Sequence, residues 1–89
     1  MKLFIQHDPP HPGEMLLEFY LQPLALSVKD AAEILLISRP RLSDIIKGKA
    51  GISPLVALKL SKAFKTTPYL WMNMQNRYDL WKAYQNLKR

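Results

Sequence analysis

Residues 27–48 read SVKDAAEILLISRPRLSDIIKG, and this stretch decides the fold. Ser27 reads as a helix N-cap, since its hydroxyl can accept from the N–H groups of the next turn and Asp30 stands three residues on. Val28, Ala31, Ala32 and Leu35 then recur at i, i+3, i+4 and i+7, the stripe of an amphipathic helix. Ser38 is a second N-cap, with Pro40 in the first turn behind it, where proline is tolerated. Leu42, Ile45 and Ile46 form the buried side of this second helix. Gly48 ends it at a position that favours a left-handed residue. Ala31 and Ala32 are small enough for two helices to cross closely, and Ile37 is placed to plug the turn between them.

This is the spacing of a helix-turn-helix, in which the first helix crosses the DNA backbone and the second enters the major groove. The groove helix carries Arg39, Pro40, Ser43, Asp44 and Lys47 opposite its apolar side. Its N-terminal end points at base edges, so Arg39, Pro40, Ser43 and Asp44 are the expected base contacts, with Arg39 placed for a bidentate bond to guanine. Ser27, Val28 and Lys29, at the start of the crossing helix, are expected at phosphates, as are Ser38, Arg41, Lys47 and Lys49. The competing reading is a generic bundle of capped helices with a basic surface.

The flanking sequence extends the same pattern. Pro12 suits the first position of a helix and Glu14 its first turn. Met15 to Leu21 is apolar nearly all round, and Pro23 is expected to stop that helix by pushing Gln22 out of the helical region. Ser53-Pro54 and Thr67-Pro68 each repeat a cap followed by proline. Behind the first, Val56, Ala57, Leu60, Ala63 and Phe64 trace one face. Behind the second, a helix runs from Pro68 to about Leu87, with Trp71, Met74, Tyr78 and Trp81 on one stripe and Leu80, Tyr84 and Leu87 on the next. The expected architecture is all-α: five helices, with residues 1–10 an extended arm and residues 11–89 one domain.

Composition narrows the chemistry. Eighty-nine residues fit one small domain with a marginal core. With no cysteine, thiolate metal sites and disulfides are excluded. Three glycines form no phosphate-cradling loop. His7, Asp8 and His11 lie in a proline-rich stretch that lacks a fourth ligand, so no metal is expected, and His11 reads instead as a helix cap. No cofactor, hydrolytic triad or membrane span is expected, and the chain reads as cytoplasmic. Residues 1–37 carry two cations against five carboxylates, net −3; residues 38–65 carry seven against one, net +6; residues 66–89 carry four against one, net +3. A basic middle behind an acidic front points to a polyanion partner, against the blander reading of a solvated basic surface.

The opening HPGEMLLEFYL and the framework SRP…L…GK.GIS…AL.L.KAF.T.P..W.N.Q..YDLW resemble the HigA-type antitoxins, an Xre-like helix-turn-helix family also labelled virulence-associated protein I. The resemblance covers roughly residues 11–83 and implies an Xre/lambda-repressor-like domain. It also implies a homodimer that binds an operator palindrome in double-stranded DNA, represses its own operon, and neutralises a basic toxin of the RelE/HigB type, an mRNA endonuclease. A stand-alone regulator, or an antitoxin without specific DNA binding, is the alternative; an enzyme is not expected. Three positions depart from the pattern. Leu36 stands where glycine is usual, which predicts a tighter or differently angled joint. Arg41 replaces a small hydroxyl residue, and Asp44 a basic or amide one. The stripe Trp71, Tyr78, Trp81 admits core, homodimer and toxin-contact readings, and Tyr78, Trp81 and Tyr84 are the expected dimer or partner interface.

Overall fold

The computed structural model describes residues 8–88, so seven of the ten residues of the expected arm, His7 among them, lie outside it. The described residues form helices and connecting turns: α1 (Pro12–Leu16) running directly into a π turn (Leu17–Leu21), α2 (Val28–Leu35), α3 (Arg39–Ile46), α4 (Pro54–Phe64) and α5 (Pro68–Leu87). Every start follows the capping chemistry expected. The side chains of Ser27, Ser38, Ser53 and Thr67 accept from the backbone N–H three residues on, at 3.0, 3.3, 3.3 and 3.2 Å.

The π turn was not expected, and the burial pattern explains it. Leu16 and Leu21 are both fully buried. On an α-helix, residues five apart point about 140° from each other. A wide i→i+5 turn brings them toward one face, and here Gln22 N–H donates to the Leu17 carbonyl at 2.9 Å. Gln22 therefore stays helical, with φ −65° and ψ −49°, against the expectation that Pro23 would displace it. The chain leaves the helix three residues later, at Ala25 (φ 54°).

Ala25 introduces a repeated device. Four helical segments end with a left-handed residue, Ala25, Leu36, Gly48 and Lys65. At each, the following N–H reaches back five residues: Leu26 to Leu21, Ile37 to Ala32, Lys49 to Asp44 and Thr66 to Ser61. Only Gly48, with φ 76°, is the residue type this conformation favours. Leu36 thus adopts the glycine geometry (φ 55°, ψ 46°) rather than altering the joint, and its side chain points into solvent, 79 % exposed. A left-handed L-residue costs about 1–2 kcal/mol, and glycine returns part of that through unfolded-state entropy. Leu36→Gly is therefore expected to raise stability by about 0.5–1 kcal/mol, read as a Tm gain in thermal melts. A lower Tm for that variant would disprove the strain at Leu36.

The core is Leu16, Leu21, Leu35, Leu42, Ile45 and Leu60 packed around Trp71, all essentially inaccessible. Trp71 is core, and its indole N–H donates to Thr66 Oγ1 at 2.8 Å. Tyr20 tilts against Trp71 and Phe64, with ring centroids 5.4 and 5.2 Å away. Gln75, buried on the same side of α5, accepts from Ile52 N–H at 2.8 Å and donates to Asp79 at 2.9 Å, tying the α3–α4 loop to α5. Leu80 and Leu87, placed by sequence on a second apolar stripe, are instead exposed. The molecule is elongated, 45 × 23 × 22 Å.

Candidate nucleic-acid interface

α2 and α3 pack on each other through buried Ala31, Ala32, Leu35 and Leu42, with Ile37 half-buried in the turn. This packing turns the other face of α3 outward. Arg39, Pro40 and Asp44 are exposed there and Ser43 is half-buried beside them. Lys47 and Lys49 are exposed at the far end. Ser27 and Lys29 are exposed at the start of α2, and Val28 is half-buried. The structure therefore gathers the expected base-reading residues on one helix, with backbone-contact candidates at both of its ends.

Two of these groups also hold the scaffold. Ser27 and Ser38 accept from their own helices, which leaves each hydroxyl hydrogen available to donate to a phosphate oxygen. The Arg41 guanidinium donates to Ser53 Oγ at 3.5 Å, linking α3 to the cap of α4. Lys59, which sequence reasoning counted only as charge, donates to the Leu36 carbonyl at 2.8 Å and so caps the end of α2. No spacing in the sequence signals that contact, because it joins residues from different elements.

The far end of α3 is fixed by α1. A Cβ on Gly13 would fall on the Ile45 carbonyl group, so α1 approaches α3 at a distance only glycine permits. His11 does cap α1: its Nδ1 accepts from Gly13 N–H at 2.9 Å. Its ring meets Tyr78 edge to face, with centroids 4.8 Å apart. Burial pushes the His11 pKa below the usual 6.5, opposed by the lesser pull of the Asp79 and Glu14 charges. The folded state thus holds His11 neutral, with Nδ1 free to accept. The unfolded chain binds the proton more readily, so this stability is complete above about pH 6.5 and is lost as pH falls toward the lower folded pKa. Tm is expected to fall between about pH 7 and 5.5, and His11→Asn, a cap that does not titrate there, to flatten the fall. An unchanged slope in that variant would remove His11 from the account.

The aromatic stripe divides. Trp71 is fully buried, whereas Tyr78, Trp81 and Tyr84 are each half-buried along the second half of α5. No three His, Asp or Glu side chains among the described residues come together as a metal site. No helix among them is long and apolar enough to cross a membrane.

Comparison with known proteins agrees with this geometry. The helix-turn-helix family pattern matches residues 17–71, from the π turn to Trp71. The chain is 42 % identical over 78 residues to a helix-turn-helix transcriptional regulator of Haemophilus influenzae, covering 88 % of this chain and 73 % of that one. It is 38 % identical over 73 residues to antitoxin HigA-1 of Vibrio cholerae, covering 82 % and 69 %. The chain belongs to the HigA-type helix-turn-helix antitoxin family. This HigA-type fold also superposes on Pseudomonas aeruginosa antitoxin HigA, solved with the higBA promoter, at a TM-score of 0.85 and 37 % identity, covering 88 % of this chain and 85 % of that one. Within this HigA-type chain, Leu36 is accommodated as a left-handed turn residue, and Asp44 stands exposed on α3.

Proposed function

We propose that this HigA-type chain is a DNA-binding autorepressor that reads an operator palindrome as a homodimer and neutralises a basic toxin of the RelE/HigB type. The observation that carries the DNA part is the outward row of α3, Arg39, Pro40, Ser43 and Asp44, held opposite buried Leu42 and Ile45. In the groove, Arg39 would bind a guanine edge and Asp44 would accept from a cytosine amino group. Ser27, Val28, Lys29, Ser38, Arg41, Lys47 and Lys49 would meet phosphates on either side and set the register. A palindrome needs two copies, with groove helices about 34 Å apart. We assign their interface to the second half of α5, through Tyr78, Trp81 and Tyr84.

The test is fluorescence anisotropy of the protein against the duplex from just upstream of its own gene and against a scrambled duplex, over a salt series. A marked preference for the native duplex at physiological salt is the expected result, with light scattering giving a dimer mass. Equal, steeply salt-dependent binding to both duplexes would leave only phosphate attraction. The exposed carboxylate of Asp44 favours one second reading, an antitoxin that has lost operator specificity, and that outcome would select it.

A further inference from the structure

Two polar side chains are buried among the described residues, His11 and Gln75. His11 caps the helix that it precedes. Gln75 lies inside α5 and caps neither of its ends. A buried amide is destabilising unless both its ends are paired, and an apolar side chain would fill the same space without that demand. The reason for an amide at this position lies in what it holds.

Gln75 Oε1 accepts from Ile52 N–H at 2.8 Å, and its Nε2 donates to Asp79 Oδ1, one turn further along α5, at 2.9 Å. The exposed Asp79 carboxylate only accepts, so it fixes which end of the amide faces Ile52. A hydrogen bond to a carboxylate is also of the stronger, charge-assisted kind. The chain passes close by on the other side: a Cβ on Gly51 would stand 3.1–3.2 Å from the Gln75 amide atoms.

Ile52 belongs to the loop 47–53 between α3 and α4, which carries Lys47 and Lys49 exposed. On the α3 side the loop is tied locally, since Lys49 and Ala50 N–H both donate to the Asp44 carbonyl, at 2.8 and 3.2 Å. On the α4 side Arg41 donates to the Ser53 cap at 3.5 Å. These ties join the loop to the two helices it connects. The Gln75 bond joins it to a third, α5, and so sets where the loop stands relative to the body of the domain.

We infer that Gln75 is a positioning residue for DNA binding: oriented by Asp79, its amide fixes the α3–α4 loop against α5 and so places Lys49 at a phosphate, without itself touching DNA. The inference rests on the operator-binding reading and deepens it, because it makes that binding depend on a residue outside α2 and α3.

The test is a double-mutant cycle in the full chain, read by anisotropy on the upstream duplex over a salt series, at a temperature where melts show each variant folded. Gln75→Met fills the same space at unchanged net charge but makes neither bond. It is expected to weaken operator binding about tenfold and to lower the slope of log affinity against log salt by about one. Lys49→Ala is expected to cost little further in that background. Gln75→Glu combined with Asp79→Asn also leaves net charge unchanged and reverses the Gln75–Asp79 bond, with the amide now donating from position 79. Position 75 still accepts from Ile52 N–H, so this pair is expected to bind within about twofold of the wild type. Gln75→Glu alone sets two carboxylates against each other and is expected to show the same coupling to Lys49→Ala, which covers the case in which Gln75→Met does not fold. A lowered Tm with operator affinity retained, or losses that add to that of Lys49→Ala, would show a structural role alone and overturn the inference. A reversed pair that does not recover binding overturns it as well. A wild-type chain with no preference for the upstream duplex overturns the operator-binding reading itself, whichever way the variants fall.

Discussion

Gly13→Ala is expected to destabilise the protein by about 2–3 kcal/mol, a Tm loss of roughly 10–20 °C for a domain of this size. Helix propensity alone predicts the opposite sign, because alanine is better than glycine inside a helix by about 1 kcal/mol. The reversal comes from packing. The added Cβ would lie 2.6 Å from the Ile45 carbonyl carbon and closer still to its oxygen. That oxygen accepts from Gly48 N–H at 3.1 Å and so belongs to the closing turn of α3. The backbones must separate, which disturbs the His11 cap and the end of the groove helix together. Operator affinity is therefore expected to fall along with thermal stability. Melts followed by circular dichroism read the first effect and anisotropy the second. A variant as stable as the wild type would show that α1 can move away from α3 without loss, and would remove α1 as the brace of α3.

Arg39→Ala is expected to cost about 1–3 kcal/mol of operator binding and to relax the sequence preference at one base pair per half-site. Arg39 is exposed at the first position of α3, so the loss is expected to fall on recognition and to leave the melt unchanged. Lys49→Ala provides the contrast. At a phosphate it is expected to weaken all duplexes about equally and to lower the slope of log affinity against log salt by about one. Anisotropy across single-base-pair operator variants separates the two. If Arg39→Ala lowers affinity for every duplex by the same factor, Arg39 is a phosphate contact and the register of α3 in the groove is other than described.

Local chemistry made much of this protein legible from sequence. Ser27, Ser38, Ser53 and Thr67 announce helix starts because a cap acts within three residues of its own chain. The apolar stripes of α2, α3 and α4 and the polar row of α3 follow from helical periodicity, and together they point to a helix-turn-helix over a generic bundle. The helix ends were less legible. Gly48 was readable as a left-handed terminus, but Ala25, Leu36 and Lys65 adopt that conformation because tertiary packing outweighs their local preference. The π turn likewise arises from a demand that Leu16 and Leu21 face one core, which no local propensity encodes. Gly13 against Ile45, Gln75 on Ile52 and Lys59 on Leu36 are contacts between residues 23 or more positions apart. Sequence by itself determined the helices, their caps and the outward polar row of α3, since these depend on neighbours along the chain. The tertiary structure alone decided how α1 braces α3, where α5 is anchored and which apolar side chains remain in solvent, since those depend on which surfaces meet.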